Sequence, residues 1–145
     1  MQHEEILLFW VNRLSFLSRK ELQKRFAAAG EPIAAEEWAA LLMLWQQDAL
    51  APSAIAEATT RDRATTTRLL DRMQKKGLVT RSAGQSDGRR VIVSLTPRGK
   101  DIQDLLVPIA MAFVSETTAP VEAQDLATTI RTLKTLSARI LDMKD

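Results

Sequence analysis

The sequence predicts a mainly α-helical fold with one small β-wing, and three observations carry that expectation. Apolar residues recur at intervals of three and four along most of the chain, which is the spacing of one helix face. Two short β-rich runs, residues 78–81 and 91–95, flank a stretch of Gly, Ser and Asp over 82–90 and mark a hairpin with an extended loop. Between these segments fall Gly30, Pro32, Pro52, Asp62, Gly77, Thr96 and Pro97, the residue types that start and stop helices.

The first helix is expected over 4–29, with Ile6, Phe9, Trp10, Leu14 and Leu17 on one face, and Gly30 and Pro32 end it. A second, entered near Ala35, carries Trp38, Leu41, Leu42 and Trp45 at i, i+3, i+4 and i+7 and closes over 46–51. Pro52 suits the first turn of a short third helix over 53–58, because its missing N–H would be unpaired there anyway. Asp62 stands where a carboxylate caps the free backbone donors of a fourth helix, which runs to about Lys76 and stops at Gly77. Thr66, Leu69, Leu70 and Met73 make its inward stripe. At about 100° per residue this leaves Ala64, Arg68, Asp71 and Lys75 outward, with Thr65, Thr67 and Arg72 on the flanks.

Beyond the hairpin, Thr96 and Pro97 read as cap and first residue of a fifth helix, which Pro108 is expected to kink by removing a backbone bond. The last helix, from about Val121, carries Leu126, Ile130, Leu133, Leu136 and Ile140, a near-heptad spacing suited to a partner helix. The order is four helices, two strands, two helices.

Composition narrows the function classes. With 145 residues, 46% of them hydrophobic, one compact domain over 1–145 is expected. The absence of cysteine excludes disulfides, thiolate metal sites and cysteine redox sensing, and the single histidine is His3. No run approaches the ~18 apolar residues of a membrane span and no basic region opens the chain, so a cytoplasmic protein without a membrane partner is expected. Ser86 and Asp87 are loop neighbours without a histidine, and Glu36 and Glu37 do not share a helix face. The expectation is therefore no enzyme, no cofactor and no metal site.

Charge is distributed unevenly. Residues 61–100 carry eleven Lys or Arg against three acids, and the rest of the chain carries nine against fifteen, within a net charge of +2. A basic middle between acidic ends suits a polyanion, although a solvated basic face would have the same composition. The arrangement is more specific than the charge. A short helix, a tight turn at 58–61 and a second helix with small polar and basic residues outward make a helix-turn-helix, and the following hairpin makes a wing. Short side chains near the start of the reading helix let its backbone approach the major groove, and arginines reach guanine edges or phosphates. Arg63, Thr65, Thr67 and Arg68 fill those positions, and an arginine at the wing tip can enter a minor groove. The partner expected from these residues is double-stranded DNA.

Residues 62–81, DRATTTRLLDRMQKKGLVTR, followed by SDGRRVIVSLTPRG over 86–99, resemble the MarR (multiple antibiotic resistance regulator) family. The wing signature of that family falls on Asp87, Arg89, Leu95, Thr96 and Gly99, and the helix order fits from end to end. The resemblance implies a winged helix-turn-helix with N- and C-terminal dimerisation helices: a DNA-binding lobe over 33–99 and dimerisation helices over 1–30 and 100–145. It assigns Arg89 to the minor groove, Asp87 to orienting wing arginines, Thr65, Thr67 and Arg68 to the major groove, and Arg63, Arg72 and Arg90 to phosphates. Three departures from the pattern are Gly88 where a basic residue is common, Thr66 at an inward position, and Pro108 in a dimer helix. The resemblance further implies a homodimer that reads a pseudo-palindromic operator with two recognition helices roughly 34 Å apart. It also implies a repressor released by a small, aromatic effector in a pocket for which Phe16, Trp38 and Leu42 are the lining candidates. Plain core packing is the competing reading of those three residues. The competing reading of the whole is a winged-helix module for protein contact without sequence-specific DNA binding.

Overall fold

A computed structural model describes residues 1–83 and 90–143. After a 3-10 turn at His3–Glu5, the described elements run α1 (Leu7–Ala28), α2 (Ala35–Gln46), α3 (Pro52–Ala58), α4 (Arg63–Lys75), β1 (Val79–Ala83), β2 (Val91–Leu95), α5 (Pro97–Asp101), α6 (Gln103–Thr118) and α7 (Ala123–Asp142). The chain divides into two compact units, Met1–Ile109 and Ala110–Asp145. No single helix among the described residues is long and apolar enough to cross a membrane.

The first unit holds the core. Phe26, Ile33, Leu41, Leu44, Ile55, Leu69, Leu70, Met73, Leu78, Val79 and Val93 are buried there. They come from α1, the α1–α2 connection, α2, α3, α4 and the hairpin, so burial of one shared set of apolar faces welds the recognition elements to the second helix. The strands pair antiparallel with Val79 opposite Leu95 and Ala83 opposite Val91. Leu50 adds a third, one-residue rung, donating to Val93 O at 3.0 Å and accepting from Val93 N at 2.7 Å.

Local chemistry sets the helix ends. Gly77 has φ 76°, its N–H donates to Gln74 O, and the Leu78 N–H donates to Met73 O. Such paired bonds require a left-handed residue after the helix, which glycine adopts without a Cβ penalty. The same pair of bonds closes α3, where Thr60 occupies the left-handed position at φ 54°. At the other side of the hairpin, Thr96 Oγ1 accepts from Gly99 N at 2.9 Å and donates to Gly77 O at 2.6 Å, so one hydroxyl caps α5 and grips the end of α4. A Cβ on Gly99 would lie 2.1 Å from Leu78 O, and this close approach is why the position holds glycine.

Two details differ from the sequence expectation. The first helix starts at Leu7, three residues late, because the opening residues form the 3-10 turn. The expected fifth helix is divided at Ile102 into α5 and α6, whereas Pro108 lies inside α6. The Ile102 carbonyl accepts from both Leu105 and Leu106, a bifurcated bond that tightens one turn while the chain continues as helix.

The second unit carries α7, twenty residues long with none buried. Leu126, Leu133 and Leu136 are half-buried along its apolar stripe, and Ile130 and Ile140 are exposed.

Candidate nucleic-acid interface

The helix-turn-helix is α3, a turn over 59–62, and α4. Asp62 caps α4 as its position suggested: Oδ1 accepts from Thr65 N at 2.7 Å and Oδ2 from Thr65 Oγ1 at 3.0 Å. These two bonds, backbone first, hold the Asp62 carboxyl below its usual pKa against a small opposing effect of desolvation. The cap therefore stays charged at the positive end of the helix dipole.

Four of the residues assigned to DNA, Arg63, Thr67, Arg68 and Arg72, are exposed on α4, and Arg90 is exposed at the base of the wing. Thr65 is half-buried, and its hydroxyl is already used, donating to Asp62 and accepting from Arg68 Nη2 at 3.3 Å. Thr67 Oγ1 donates back to Arg63 O at 3.0 Å. The structure brings Arg63, Thr67 and Arg90 together around a cleft of about 670 Å³ that also includes Ala51, Pro52, Ser53, Ala56, Thr66 and Val91. Thr66 faces inward as expected, 2% exposed, and its hydroxyl has no hydrogen-bond partner among the described residues. Asp87 and Arg89 lie outside the described residues.

The effector-pocket candidates are placed differently from one another. Phe16 is 62% exposed on α1 and Leu42 is 41% exposed on α2. Trp38 is half-buried in an aromatic run, its ring 5.2 Å from Phe26 and 5.6 Å from Trp45. None of the three lines the cleft beside α4.

Three residues that hold the reading helix were not singled out by the sequence. Lys76, just past α4, donates to Pro32 O and to Glu37 Oε1, each at 2.7 Å, and the fully buried Glu37 also accepts from Ala34 N. Arg98 forms a two-pronged pair with Glu31, both bonds 2.9 Å, and reaches Lys76 O at 3.3 Å. Arg81 on β1 donates to Asp71 Oδ1 at 2.6 Å and to Gln74 Oε1 at 2.8 Å. Strand alternation was the available signal for the last: Arg81 shares a face with buried Val79 and so points toward α4.

Comparison with known proteins agrees with this geometry. The MarR family profile matches residues 33–91. The organic hydroperoxide resistance transcriptional regulator of Bacillus subtilis is 33% identical over 103 residues, covering 68% of this chain and 70% of that protein. Among solved structures, Bordetella bronchiseptica BpsR, described with regulation of its DNA binding by 6-hydroxynicotinic acid, superposes with a TM-score of 0.84 at 22% identity, covering 94% of this chain and 96% of that one. A mutant MarR from E. coli complexed with operator DNA superposes with a TM-score of 0.80 at 23% identity, covering 88% and 90%. Profile, sequence relative and fold agree on one assignment, and this winged helix-turn-helix chain belongs to the MarR family of transcriptional regulators.

Proposed function

We propose that the protein is a homodimeric, sequence-specific regulator that binds a pseudo-palindromic site in double-stranded DNA and represses transcription there. The observation that carries this reading is the exposure of Arg63, Thr67, Arg68 and Arg72 along a capped, core-anchored helix, with Arg90 beside Arg63 and Thr67. Cations exposed along such a helix displace counterions from phosphates, and a helix fits the major groove. The DNA complex of the E. coli relative supports the same use of the fold. In this reading Asp87 and Arg89 belong to the wing tip and Thr65 contributes its methyl group more than its engaged hydroxyl.

Dimerisation through residues 1–30 and 100–145 is supported by apolar exposure. Leu7, Leu8, Trp10, Val11, Leu14, Phe16 and Leu17 on α1 are 37–62% exposed, and Met111, Val114, Ile130, Ile140 and Leu141 are exposed on α6 and α7. Surfaces of this kind mark association sites. The lobe over 33–99 would then be presented twice, about one DNA turn apart. Release by a small aromatic ligand near Phe16, Trp38 and Leu42 completes the proposal, by analogy with the ligand named for BpsR.

The test is selection of genomic duplex fragments, including the region upstream of the protein's own coding sequence, across a salt series. Tight binding to one palindromic fragment that weakens steeply with salt is the expected result. Uniformly weak binding, unchanged by Arg68→Ala with the fold intact, would leave the protein-contact module as the better reading.

A further inference from the structure

We propose that Arg81 is a positioning residue for DNA reading: it cancels the one carboxylate carried within the recognition helix and ties that helix to the strand leading into the wing. The inference rests on the DNA-binding reading above. Within α4, RATTTRLLDRMQK, Asp71 is the sole acid. It stands one turn after Thr67, on the same outward face as Arg68 and Lys75, and its side chain is 58% exposed. A bare carboxylate there would face the phosphates that the neighbouring arginines are placed to attract, and like charges across an interface weaken and redirect binding.

Arg81 answers that charge from another element. Its Nη2 donates to Asp71 Oδ1 at 2.6 Å and its Nε to Gln74 Oε1 at 2.8 Å, two acceptors three residues apart on one helix face. The guanidinium fork matches that spacing, which a lysine would not. The Arg81 side chain is only 25% exposed, so it lies against the protein with these donors turned toward the helix. Its role is thus distinct from that of the exposed Arg63, Arg68 and Arg72. The clamp also sets where α4 sits relative to β1, and so relative to the wing.

A double-mutant cycle tests this with wild type, Arg81→Ala, Asp71→Asn and the double variant on one duplex selected by the wild type, in a salt series, with thermal melts of each. Asparagine keeps the shape and acceptor of Asp71 without its charge. Arg81→Ala is expected to weaken binding about tenfold at low salt, from one uncancelled charge near phosphates. Adding Asp71→Asn is expected to return affinity to within about threefold of Asp71→Asn alone. If the double variant stays as weak as Arg81→Ala, Arg81 is a phosphate contact or a purely structural brace, and the proposal fails. It fails equally if Arg81→Ala binds like wild type. A wild type that selects no duplex refutes the DNA-binding reading itself, an outcome separate from failure of the cycle.

Discussion

Replacing Gly99 by alanine probes the joint between the wing and the recognition helix. The added Cβ would sit 2.1 Å from Leu78 O and 3.1 Å from a Leu95 methyl, and the first contact is backbone that no rotamer change relieves. Moving α5 away strains its neighbours, since Gly99 O accepts from Trp45 Nε1 at 2.9 Å and Gly99 N donates to Thr96 Oγ1 at 2.9 Å. Overpacking costs about 1–3 kcal/mol and two weakened hydrogen bonds about 1 kcal/mol each, so a loss of about 3–5 kcal/mol is expected. Urea unfolding followed by tryptophan fluorescence reads this directly, because Trp45 is one of the bonded groups. Gly77→Ala is the control: nothing lies closer than 3.9 Å to its Cβ, so only the left-handed φ matters and about 1–2 kcal/mol is expected. Equal losses at the two positions, or a Gly99→Ala loss below about 1 kcal/mol, would refute the close-approach argument.

Other expectations follow from single residues. Thr60 is a β-branched residue at φ 54° in the turn of the helix-turn-helix, so Thr60→Gly should raise stability by about 0.5–1 kcal/mol, seen as a higher melting temperature; a fall would mean the turn is not strained. The Glu31 carboxyl is held below its usual pKa chiefly by its hydrogen bond to Arg98, so its contribution is complete above the unfolded-state value and is lost as pH falls through the folded-state one. Glu31→Gln should therefore destabilise at neutral pH and converge with wild type in acid, whereas a constant difference across the pH series would contradict the linkage. With no cysteine in the chain, organic hydroperoxide should leave DNA affinity unchanged; a loss reversed by thiol reductant would overturn this.

Local features were legible in the sequence because local forces set them. The caps at Asp62 and Thr96, the stop at Gly77 and the inward stripe of α4 are each decided within one or two turns, where spacing and residue type carry the whole signal. The Leu50–Val93 rung and the side-chain partners of Lys76 and Arg98 are decided by elements distant in sequence, which periodicity does not encode. Thr65 shows the boundary between the two. Its angle on the helix placed it at the edge of the reading face, yet the cap three residues before it takes its hydroxyl, and only geometry reveals the competition.

The long-range bonds missed by the sequence reading converge on one place. Lys76 meets Pro32 and Glu37, and Arg98 meets Glu31 and Lys76, so the connection between α1 and α2 is tied to the end of the recognition helix by charge-assisted bonds. A displacement of that connection has to carry α4 with it or break those bonds, and the buried Glu37 makes breaking them expensive. Lys76→Ala should thus destabilise the fold by about 2–4 kcal/mol, less than a fully buried pair because the Lys76 side chain is 34% exposed. Lys76→Ala combined with Glu37→Gln should recover most of that loss, since the cost lies in the unpaired buried charge and not in the missing lysine. Equilibrium unfolding of the two variants decides between those sources: no recovery in the double variant would locate the loss in the Pro32 contact and remove the charge from the argument.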